Sequence, residues 1–344
     1  MEFFYAALGL VILLFAGDSL VRGAVNVSLR LGVPALIVSL TIVAFGTSAP
    51  ELLISVQAVL DHAPGLALGN VVGSNTANIL LVLGVPALMT GLATRGVDTR
   101  RNYIAMLAAT ALFMLLAANA RHFGFWEGIT LLAGLGLMLS SAFQEALAHR
   151  RKMAAERLAE LEAAGAALDP ESLAAEAELD AESEEKGEIE GADPDMPWPK
   201  VILFLALGLI GLPLGASILV DAATTIARTY GVSETVIGLT LVAVGTSLPE
   251  LATTVMAAIR RQADVALGNV IGSNMFNLLA IIGLAALVGP IPVEPTMLKL
   301  DLWVMFLASL LIAPFVFRGW HMGRTWGIVF IALYVVYIGV LLGK

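Results

Sequence analysis

Long apolar stretches recur along almost the whole chain of 344 residues, and they restrict its fold to a membrane architecture. Hydrocarbon offers no hydrogen-bond partners, so a backbone inside it must form helices or a closed barrel. The stretches are continuous and long enough for helices that cross about 30 Å of hydrocarbon. They lack the alternation that is typical of barrel strands. The sequence therefore predicts an all-α integral membrane protein.

Ten transmembrane helices are predicted. They lie at residues 3–20, 35–60, 66–90, 102–119, 125–147, 200–220, 235–259, 265–289, 298–317 and 325–342. Composition agrees, because 58% of the residues are hydrophobic and 14% are charged, whereas soluble domains carry about 25% charged residues. The first stretch is expected to be a helix and not a signal peptide, because it begins with Glu2 and has no basic leading region.

The charge of the chain is distributed unevenly. Residues 153–197 contain fifteen Asp and Glu against Arg157 and Lys186, so the rest of the chain is mildly basic although the net charge is −9. No charge pattern indicates nucleic-acid binding. The acidic segment has no calcium-binding loop motif and is interpreted as a solubilising linker, with a regulatory role left open. The absence of cysteine excludes thiolate metal sites and cysteine nucleophiles.

Lys and Arg residues outside the acidic segment concentrate on one side of the predicted membrane. Apart from Lys200 at the start of the sixth predicted span, twelve lie on one side and four on the other. Cytoplasmic loops are enriched in Lys and Arg, so the larger set is assigned to the cytoplasm. We therefore expect a multi-pass protein of the cell inner (plasma) membrane, with both termini outside and the acidic loop cytoplasmic.

An internal repeat is the strongest specific signal in the chain. Residues 46–84 and 245–283 align without a gap at an offset of 199, with 19 of 39 positions identical. The shared residues include the motifs GTSxPE and GNVxGSN. Hydrophobic composition alone would produce shared Leu and Val and would not produce these polar, glycine and proline residues. The repeat therefore indicates a true duplication.

The duplication predicts the domain organisation. Residues 1–148 form a first repeat of five helices, 149–198 an acidic cytoplasmic loop, and 199–344 a second repeat of five helices. Because an odd number of spans separates equivalent helices, the two halves have opposite orientations. Inverted repeats with polar, helix-breaking elements at matching depths are typical of secondary transporters.

Glu51 and Glu250 lie in the middle of apolar spans. An ionised carboxylate there costs about 2.5–3.5 kcal/mol even on the most lenient insertion scale. No Lys or Arg lies within either repeat core to pair with them, so a mobile cation is the simplest partner. A buried protonated carboxyl that caps a neighbouring helix is the structural alternative.

Other oxygen-bearing side chains accompany each glutamate. Thr47 and Ser48 share roughly one helix face with Glu51, and Thr246 and Ser247 repeat that spacing around Glu250. Pro50 and Pro249 cannot donate hydrogen bonds, so they release carbonyl oxygens one turn earlier. A polar stripe is also predicted on each following span, formed by Asn70, Ser74 and Asn78 and by Asn269, Ser273 and Asn277. The same spans carry the glycine pairs Gly69/Gly73 and Gly268/Gly272, which are expected to let them pack closely against the proline-broken helices.

This ligand set contains only carboxylate, amide, hydroxyl and carbonyl oxygens. Hard cations prefer such ligands, and Ca²⁺ accepts six to eight oxygens in flexible geometry. Two glutamates match one Ca²⁺ in charge. The same oxygens suit Na⁺, so mutually exclusive occupancy and exchange of the two ions are predicted. Asn70 and Asn269 have an alternative role as simple interhelical hydrogen-bond residues.

The paired GTSxPE and GNVxGSN motifs resemble those of the sodium/calcium exchangers of the cation/Ca²⁺ antiporter superfamily, prokaryotic type. The resemblance covers the chain except the acidic loop. It implies Na⁺/Ca²⁺ antiport by alternating access, in which the first and sixth helices slide over a core of the other eight. It implies no enzymatic activity, no cofactor beyond the transported Ca²⁺ and Na⁺, and no obligatory protein partner. The lipid bilayer is the expected environment.

The resemblance also implies roles for individual residues. Glu51 and Glu250 would be the central Ca²⁺ ligands, with the carbonyls of Thr47 and Thr246. The flanking Na⁺ sites would use Ser48, Ser74, Ser247 and Ser273 with the carbonyls of Ala44 and Ala243. Asn78 matches the family pattern, whereas Asn277 stands where many exchangers have Asp. If that Asp is normally ionised, Asn277 affects the Na⁺ stoichiometry and any participation of K⁺ or H⁺.

The sequence supports three other functions less well. H⁺/Ca²⁺ exchange could use the same glutamates, because protons compete for carboxylates. A cation channel usually builds its pore from rings of ligands about an axis, which an inverted pair within one chain does not favour. An intramembrane hydrolase is disfavoured, because the chain has no H-E-x-x-H motif and no distinct acid and base environments.

Overall fold

The computed structural model describes residues 1–94, 99–163, 193, 196–231 and 243–342. Most of the acidic loop lies outside these residues, as does part of the seventh predicted span. The described residues form helices almost throughout, which confirms the predicted all-α class. Two strands of two residues each are the exception: β1 (His122–Phe123) pairs antiparallel with β2 (Ile291–Pro292).

The helices are numbered here in chain order. They are α1 (Glu2–Leu31), α2 (Ala35–Thr47), α3 (Ala49–Leu60), α4 (Pro64–Met89), α5 (Arg100–Ala120), α6 (Phe125–Ala163), α7 (Trp198–Thr229), α8 (Ala243–Thr246), α9 (Leu248–Ile259), α10 (Ala263–Val288), α11 (Met297–Arg318) and α12 (Arg324–Leu342). Four of them, α2, α4, α10 and α11, contain one wide π-helical turn.

Within the described ranges, eight helices are long and apolar enough to cross a membrane. A ninth span is obtained if α2 and α3, which meet at an angle of 44°, are counted together. The seventh predicted span, 235–259, begins outside the described residues, and its described part consists of α8 and α9. Helices α1 and α6 extend beyond the predicted spans 3–20 and 125–147.

Helices α1 and α7 pack closely along each other. A Cβ atom placed on Gly9 would lie 2.8 Å from the Gly215 carbonyl oxygen, and one placed on Gly215 would lie 3.0 Å from the Gly9 carbonyl oxygen. Small residues thus allow the two backbones to approach directly, as is common between membrane helices. The two helices contribute most residues of a hydrophobic cluster separate from the main core.

Helices α4 and α10 are the most enclosed of the eight long helices. Gly272 on α10 faces α2 so closely that an added Cβ would lie 2.6 Å from the Ala44 Cβ and 2.6 Å from the Leu40 carbonyl oxygen. The Ser39 hydroxyl on α2 also donates to the Val265 carbonyl at 2.6 Å. The expected close packing of the glycine-bearing helix against a proline-broken helix is therefore observed for α10. The corresponding partner of α4 lies largely outside the described residues.

The correspondence between the two halves extends beyond the repeated motifs. The β1–β2 ribbon pairs Phe123 with Ile291, and an isolated antiparallel bridge pairs Leu92 with Met322. Met322 and Ile291 are the positions 199 residues after Phe123 and Leu92. The same contact therefore occurs twice, with the roles of the two halves exchanged.

We expect Gly272→Ala to lower the thermal stability of the detergent-solubilised protein. The new methyl group would overpack the α2–α10 contact, which typically costs about 1–3 kcal/mol. Gly136→Ala on α6 is the matched control, because no described atom lies within 4 Å of an added Cβ there. Equal melting temperatures for the two variants would contradict the close packing of α10 on α2.

Candidate cation site

Each repeat contains a helix that breaks at a serine. Ser48 separates α2 from α3 with φ −83° and ψ 3°, and Ser247 separates α8 from α9 with φ −88° and ψ 5°. Pro50 and Pro249 occupy the first turn of the helix that follows each break. Proline is tolerated there because the first-turn N–H groups have no intrahelical acceptor. The breaks place Glu51 and Glu250 in the first turns of α3 and α9, inside the protein.

Both glutamates are fully enclosed, with 0% of either residue exposed. The Ser48 hydroxyl donates to Oε1 of Glu250 at 3.1 Å, which joins the two halves. Neither carboxylate oxygen of Glu51, nor Oε2 of Glu250, accepts a hydrogen bond from a described residue. None of the ion pairs between described residues involves either glutamate. The two carboxyl groups are close enough to interact electrostatically.

Further buried oxygens without described hydrogen-bond partners belong to predicted site residues. They are Ser247 Oγ and the Oδ1 atoms of Asn78 and Asn277. An unpaired buried polar atom costs about 1–3 kcal/mol, so such atoms are rare in proteins. Unpaired oxygens at these positions of the two repeats are what a site for an oxygen-binding ligand would require.

Hydroxyl groups connect the broken helices to the polar stripes. Thr47 Oγ1 donates to Asn269 Oδ1 at 3.2 Å and lies 3.3 Å from the Ala44 carbonyl and 3.5 Å from Ser273 Oγ. Ser74 Oγ donates to the Val71 carbonyl at 3.2 Å. The predicted site residues Thr47, Ser273 and Ala44 therefore meet at the interface of the two halves.

Asn70 and Asn269 make equivalent hydrogen bonds in the two halves. Asn70 Nδ2 lies 3.4 Å from the Glu51 carbonyl and 3.1 Å from Ser55 Oγ. Asn269 Nδ2 lies 3.3 Å from the Glu250 carbonyl and 3.1 Å from Thr254 Oγ1. The interhelical alternative described for these two asparagines is the geometry observed. They hold the backbone that carries each glutamate.

The π-helical turns begin at equivalent residues, Asn78 on α4 and Asn277 on α10. Such turns often occur at functional positions. Asn277 Nδ2 donates to Ser74 Oγ at 3.0 Å, whereas Asn78 Nδ2 donates to Asn274 Oδ1 at 3.0 Å. The two amides are therefore oriented by different partners.

Sequence reasoning missed Asn75 and Asn274. Asn75 Nδ2 donates to the Asn274 carbonyl at 3.1 Å, and Asn274 Nδ2 donates to the Asn75 carbonyl at 3.3 Å. Both are the final residue of the GSN motif, so their identity in the two copies was an available signal. It was overlooked because the predicted stripe was followed at steps of four residues.

The remaining predicted site residues have fewer described contacts. Thr246 is half-buried on α8, and Ala243 begins that helix. Ala44 is buried on α2, and its carbonyl accepts from the Ser48 N–H at 3.0 Å. Among the described residues, no group of three or more His, Asp or Glu could hold a metal ion. Any cation here would rely on two carboxylates supplemented by neutral oxygens.

A bundle of membrane-spanning helices that encloses two carboxylates between similar halves is the architecture of a secondary transporter. A family model described as "Sodium/calcium exchanger protein" matches residues 1–143 and 200–343, so the chain belongs to the sodium/calcium exchanger family. It is a multi-pass membrane transporter for cation/Ca²⁺ antiport and not an enzyme.

Individual relatives agree with this assignment. The chain is 35% identical to the sodium/calcium exchanger MaX1 of Methanosarcina acetivorans, over 99% of this chain and 98% of the relative. It is 32% identical to the inner membrane protein YrbG of Escherichia coli, over 97% and 94%. A solved structure of the sodium-calcium exchanger NCX_Mj, soaked with zero Na⁺ and Ca²⁺, matches with a TM-score of 0.76 at 29% identity, over 99% and 98%.

Neutralising one buried carboxylate should stabilise the protein in cation-depleted buffer. We expect Glu51→Gln to raise the melting temperature by an amount that corresponds to about 1–3 kcal/mol, because it removes a desolvated charge and its repulsion of Glu250. The exposed Glu294→Gln is the control. An unchanged melting temperature for Glu51→Gln would support the alternative of a protonated carboxyl.

Proposed function

We propose that this protein exchanges Na⁺ for Ca²⁺ across the membrane by alternating access. The observation that carries the proposal is the pair of fully enclosed glutamates, Glu51 and Glu250, whose charges no described ion pair balances. Two carboxylates in an apolar surrounding carry a large energetic penalty. A divalent cation between them would remove that penalty. It would also provide a partner for the surrounding oxygens that accept no hydrogen bond.

Ca²⁺ would bind between the two broken helices. Glu51 and Glu250 would supply the charge, and the carbonyls of Thr47 and Thr246 would complete the inner ligands. Ca²⁺ tolerates irregular coordination by six to eight oxygens, whereas Mg²⁺ demands near-ideal octahedral geometry. A site assembled from flexible carboxylates and helix-break carbonyls therefore favours Ca²⁺.

Na⁺ would occupy overlapping positions. We assign the flanking sites to the hydroxyls of Ser48, Ser74, Ser247 and Ser273 and to the carbonyls of Ala44 and Ala243. The Ser48 hydroxyl contacts Glu250 directly, so a Na⁺ ion at this hydroxyl would use the carboxylate that Ca²⁺ also needs. Shared ligands make the two occupancies mutually exclusive. Mutual exclusion is the basis of antiport.

Asn78 and Asn277 would contribute neutral oxygens at the middle of the site. The Asn277 amide donates to Ser74, which turns its unpaired Oδ1 away from that hydroxyl. With an amide at this position, the two glutamates carry the full charge of the site. We therefore propose that one Ca²⁺ neutralises it.

Ten spans in two inverted repeats explain the geometry best. The repeated helix breaks, the repeated asparagine bonds and the exchanged Leu92–Met322 and Phe123–Ile291 pairings support a two-fold relation between the halves. We propose a division into residues 1–148, an acidic loop at 149–198, and residues 199–344. Helix α6 continues to Ala163, so the loop would begin as an extension of this helix.

Alternating access would move α1 and α7 together against the other helices. Their separate hydrophobic cluster and direct glycine contact support a joint motion. The two ends of the site also differ. Ala252 on α9 packs against Gly17 of α1 and is 7% exposed, whereas Leu53 on α3, the equivalent residue of the first repeat, is 71% exposed. This asymmetry is expected when the site is closed at one end.

An ion pair reinforces the closed end. Arg260, which follows α9, contacts Asp18 on α1 through Nε and Nη2. Its equivalent in the first repeat is Asp61, which accepts a hydrogen bond from Gln57 at 2.8 Å. The Asp18–Arg260 pair therefore has no counterpart at the equivalent positions, which hold Ser217 and Asp61. By the Lys and Arg distribution, we propose that this end faces the cytoplasm.

The chain lacks cysteine, so a single introduced thiol can report opening of this end. We expect Asp18→Asn to increase the labelling rate of Ala252→Cys by about fivefold, because a partly buried ion pair contributes about 1 kcal/mol. Asp221→Asn on α7 is the control. Its carboxylate accepts a long hydrogen bond from Ser217 on the same helix. An unchanged rate with Asp18→Asn would argue against the ion pair as a closure element.

The cellular location follows from the same proposal. The name of the Escherichia coli relative, inner membrane protein YrbG, supports placement in the cell inner membrane. We propose that both termini lie outside and that the acidic loop is cytoplasmic. Na⁺ and Ca²⁺ are the proposed substrates, and the proposal requires neither a cofactor nor a protein partner.

The defining test is flux through purified protein in liposomes. Proteoliposomes loaded with Na⁺ should accumulate Ca²⁺ when they are diluted into Na⁺-free medium, because outward Na⁺ movement drives Ca²⁺ entry. Glu51→Gln and Glu250→Gln should abolish this uptake, whereas Glu294→Gln should retain it. Uptake driven equally by a pH gradient without Na⁺ would establish H⁺/Ca²⁺ exchange instead. Single-channel currents far above carrier turnover would establish a channel.

Acidification should inhibit the exchange. Protonated Glu51 and Glu250 no longer balance a divalent cation, so initial Ca²⁺ uptake at fixed Na⁺ gradient should fall as the pH is lowered on both sides. Raising the Ca²⁺ concentration should partly restore the rate, since Ca²⁺ and H⁺ compete for the carboxylates. A rate that is independent of pH down to about 4, near the ordinary carboxyl pKa, would contradict carboxylate ligation.

A further inference from the structure

The two asparagines that end the GSN motifs have equal packing roles but different side-chain contacts. Asn75 and Asn274 each donate one amide hydrogen bond to the backbone carbonyl of the other, which joins α4 to α10. Both residues are about 1% exposed. Asn75 Oδ1 accepts no hydrogen bond from a described residue. Asn274 Oδ1, in contrast, accepts the Asn78 amide at 3.0 Å.

The hydrogen bond from the Asn78 side chain to Asn274 determines where the side-chain oxygen of Asn78 lies. A primary amide is planar, so fixing its nitrogen also fixes its oxygen on the opposite side. Asn78 begins the π-helical turn of α4, and its Oδ1 is buried without a described partner. The geometry leaves this oxygen available to a cation while the nitrogen, which would repel a cation, is held away.

We propose that Asn274 is a positioning residue that aims Asn78 Oδ1 into the cation site and thereby sets the affinity for Na⁺. The inference rests on the proposed function, because it needs a cation site between α4 and α10. It applies to Na⁺ more than to Ca²⁺. The attraction of a monovalent ion to the two glutamates is about half that of a divalent ion, so neutral oxygens provide a larger share of Na⁺ binding.

Asn75 provides the matched control for Asn274. Asn274→Ala and Asn75→Ala each remove one amide donor from the same reciprocal pair. Only Asn274→Ala releases the Asn78 side chain. A purely structural role predicts equal effects of the two variants, whereas a positioning role predicts that only the first changes ion binding.

The experiment is a Na⁺ titration of thermal stability in detergent, at constant total chloride with choline as the replacement cation. We expect both variants to lower the ion-free melting temperature similarly. Asn274→Ala should shift the Na⁺ concentration for half-maximal stabilisation upward by about three- to tenfold, the range expected for one neutral hydrogen bond. Asn75→Ala should stay within about twofold of the wild type. The equivalent Ca²⁺ titration should shift less than the Na⁺ titration in Asn274→Ala.

Two outcomes would overturn the positioning role: equal shifts in both variants, or no shift in Asn274→Ala. If Asn274→Ala does not fold, Asn274→Ser gives the same test, because its hydroxyl can bond the helix backbone but is too short to replace the amide at Asn78. In an Asn78→Ala background, the Asn274 substitution should cause no further shift, and an additional shift would also contradict the proposal.

The Na⁺ titration and the Ca²⁺ uptake assay together distinguish the positioning role of Asn274 from the proposed exchange. Wild-type protein that takes up Ca²⁺ on a Na⁺ gradient, with equal titration shifts in the two variants, would refute only the positioning role. Wild-type protein that is stabilised by Na⁺ in an Asn274-dependent manner, without Na⁺-driven uptake, would refute only the exchange.

Discussion

The structure depends on the enclosure of two carboxylates in a surrounding that cannot solvate them. Each glutamate lies at a helix break, and each break is held by an asparagine from the neighbouring helix. A charged group at this depth costs about 2.5–3.5 kcal/mol even by the most lenient scale. A protein that only needed stability would replace both residues with apolar ones. The penalty is instead consistent with a site whose stable state includes a cation.

Much of this arrangement could be predicted from the sequence, because a repeat aligns residues that share an environment. The prolines correctly indicated an interrupted helix beside each glutamate, which the structure places at Ser48 and Ser247, and the apolar spans correctly indicated the burial of Glu51 and Glu250. The glycine pattern correctly indicated the close packing of α10 against α2. These features depend on local chemistry, namely the missing proline N–H and the missing glycine side chain.

The contacts between the halves could not be predicted in the same way. Helical spacing shows which residues share a face, but it does not show which face meets which partner. The Thr47–Asn269 and Ser48–Glu250 hydrogen bonds cross from one repeat to the other, so they require the relative placement of the two halves. The reciprocal contact of Asn75 with Asn274 also crosses between the halves, and the ion pair of Asp18 with Arg260 joins residues 242 positions apart.

Differences between the two repeats carry as much meaning as their similarity. Equivalent positions hold Arg260 and Asp61 at the two ends of the site, and Asn78 and Asn277 have different amide partners. In the proposed inverted-repeat architecture, unequal ends would give the two related conformations unequal energies. A ligand would shift the population between them only by binding one conformation more tightly than the other.

The central claim is that Glu51 and Glu250 jointly bind a single Ca²⁺. Equilibrium binding of radioactive Ca²⁺ to the purified protein tests this claim without reference to transport. The account predicts one bound Ca²⁺ per chain, displaced by Na⁺, and no measurable binding when either glutamate is changed to glutamine. Two independent bound ions, or undiminished binding in one of the glutamine variants, would contradict it.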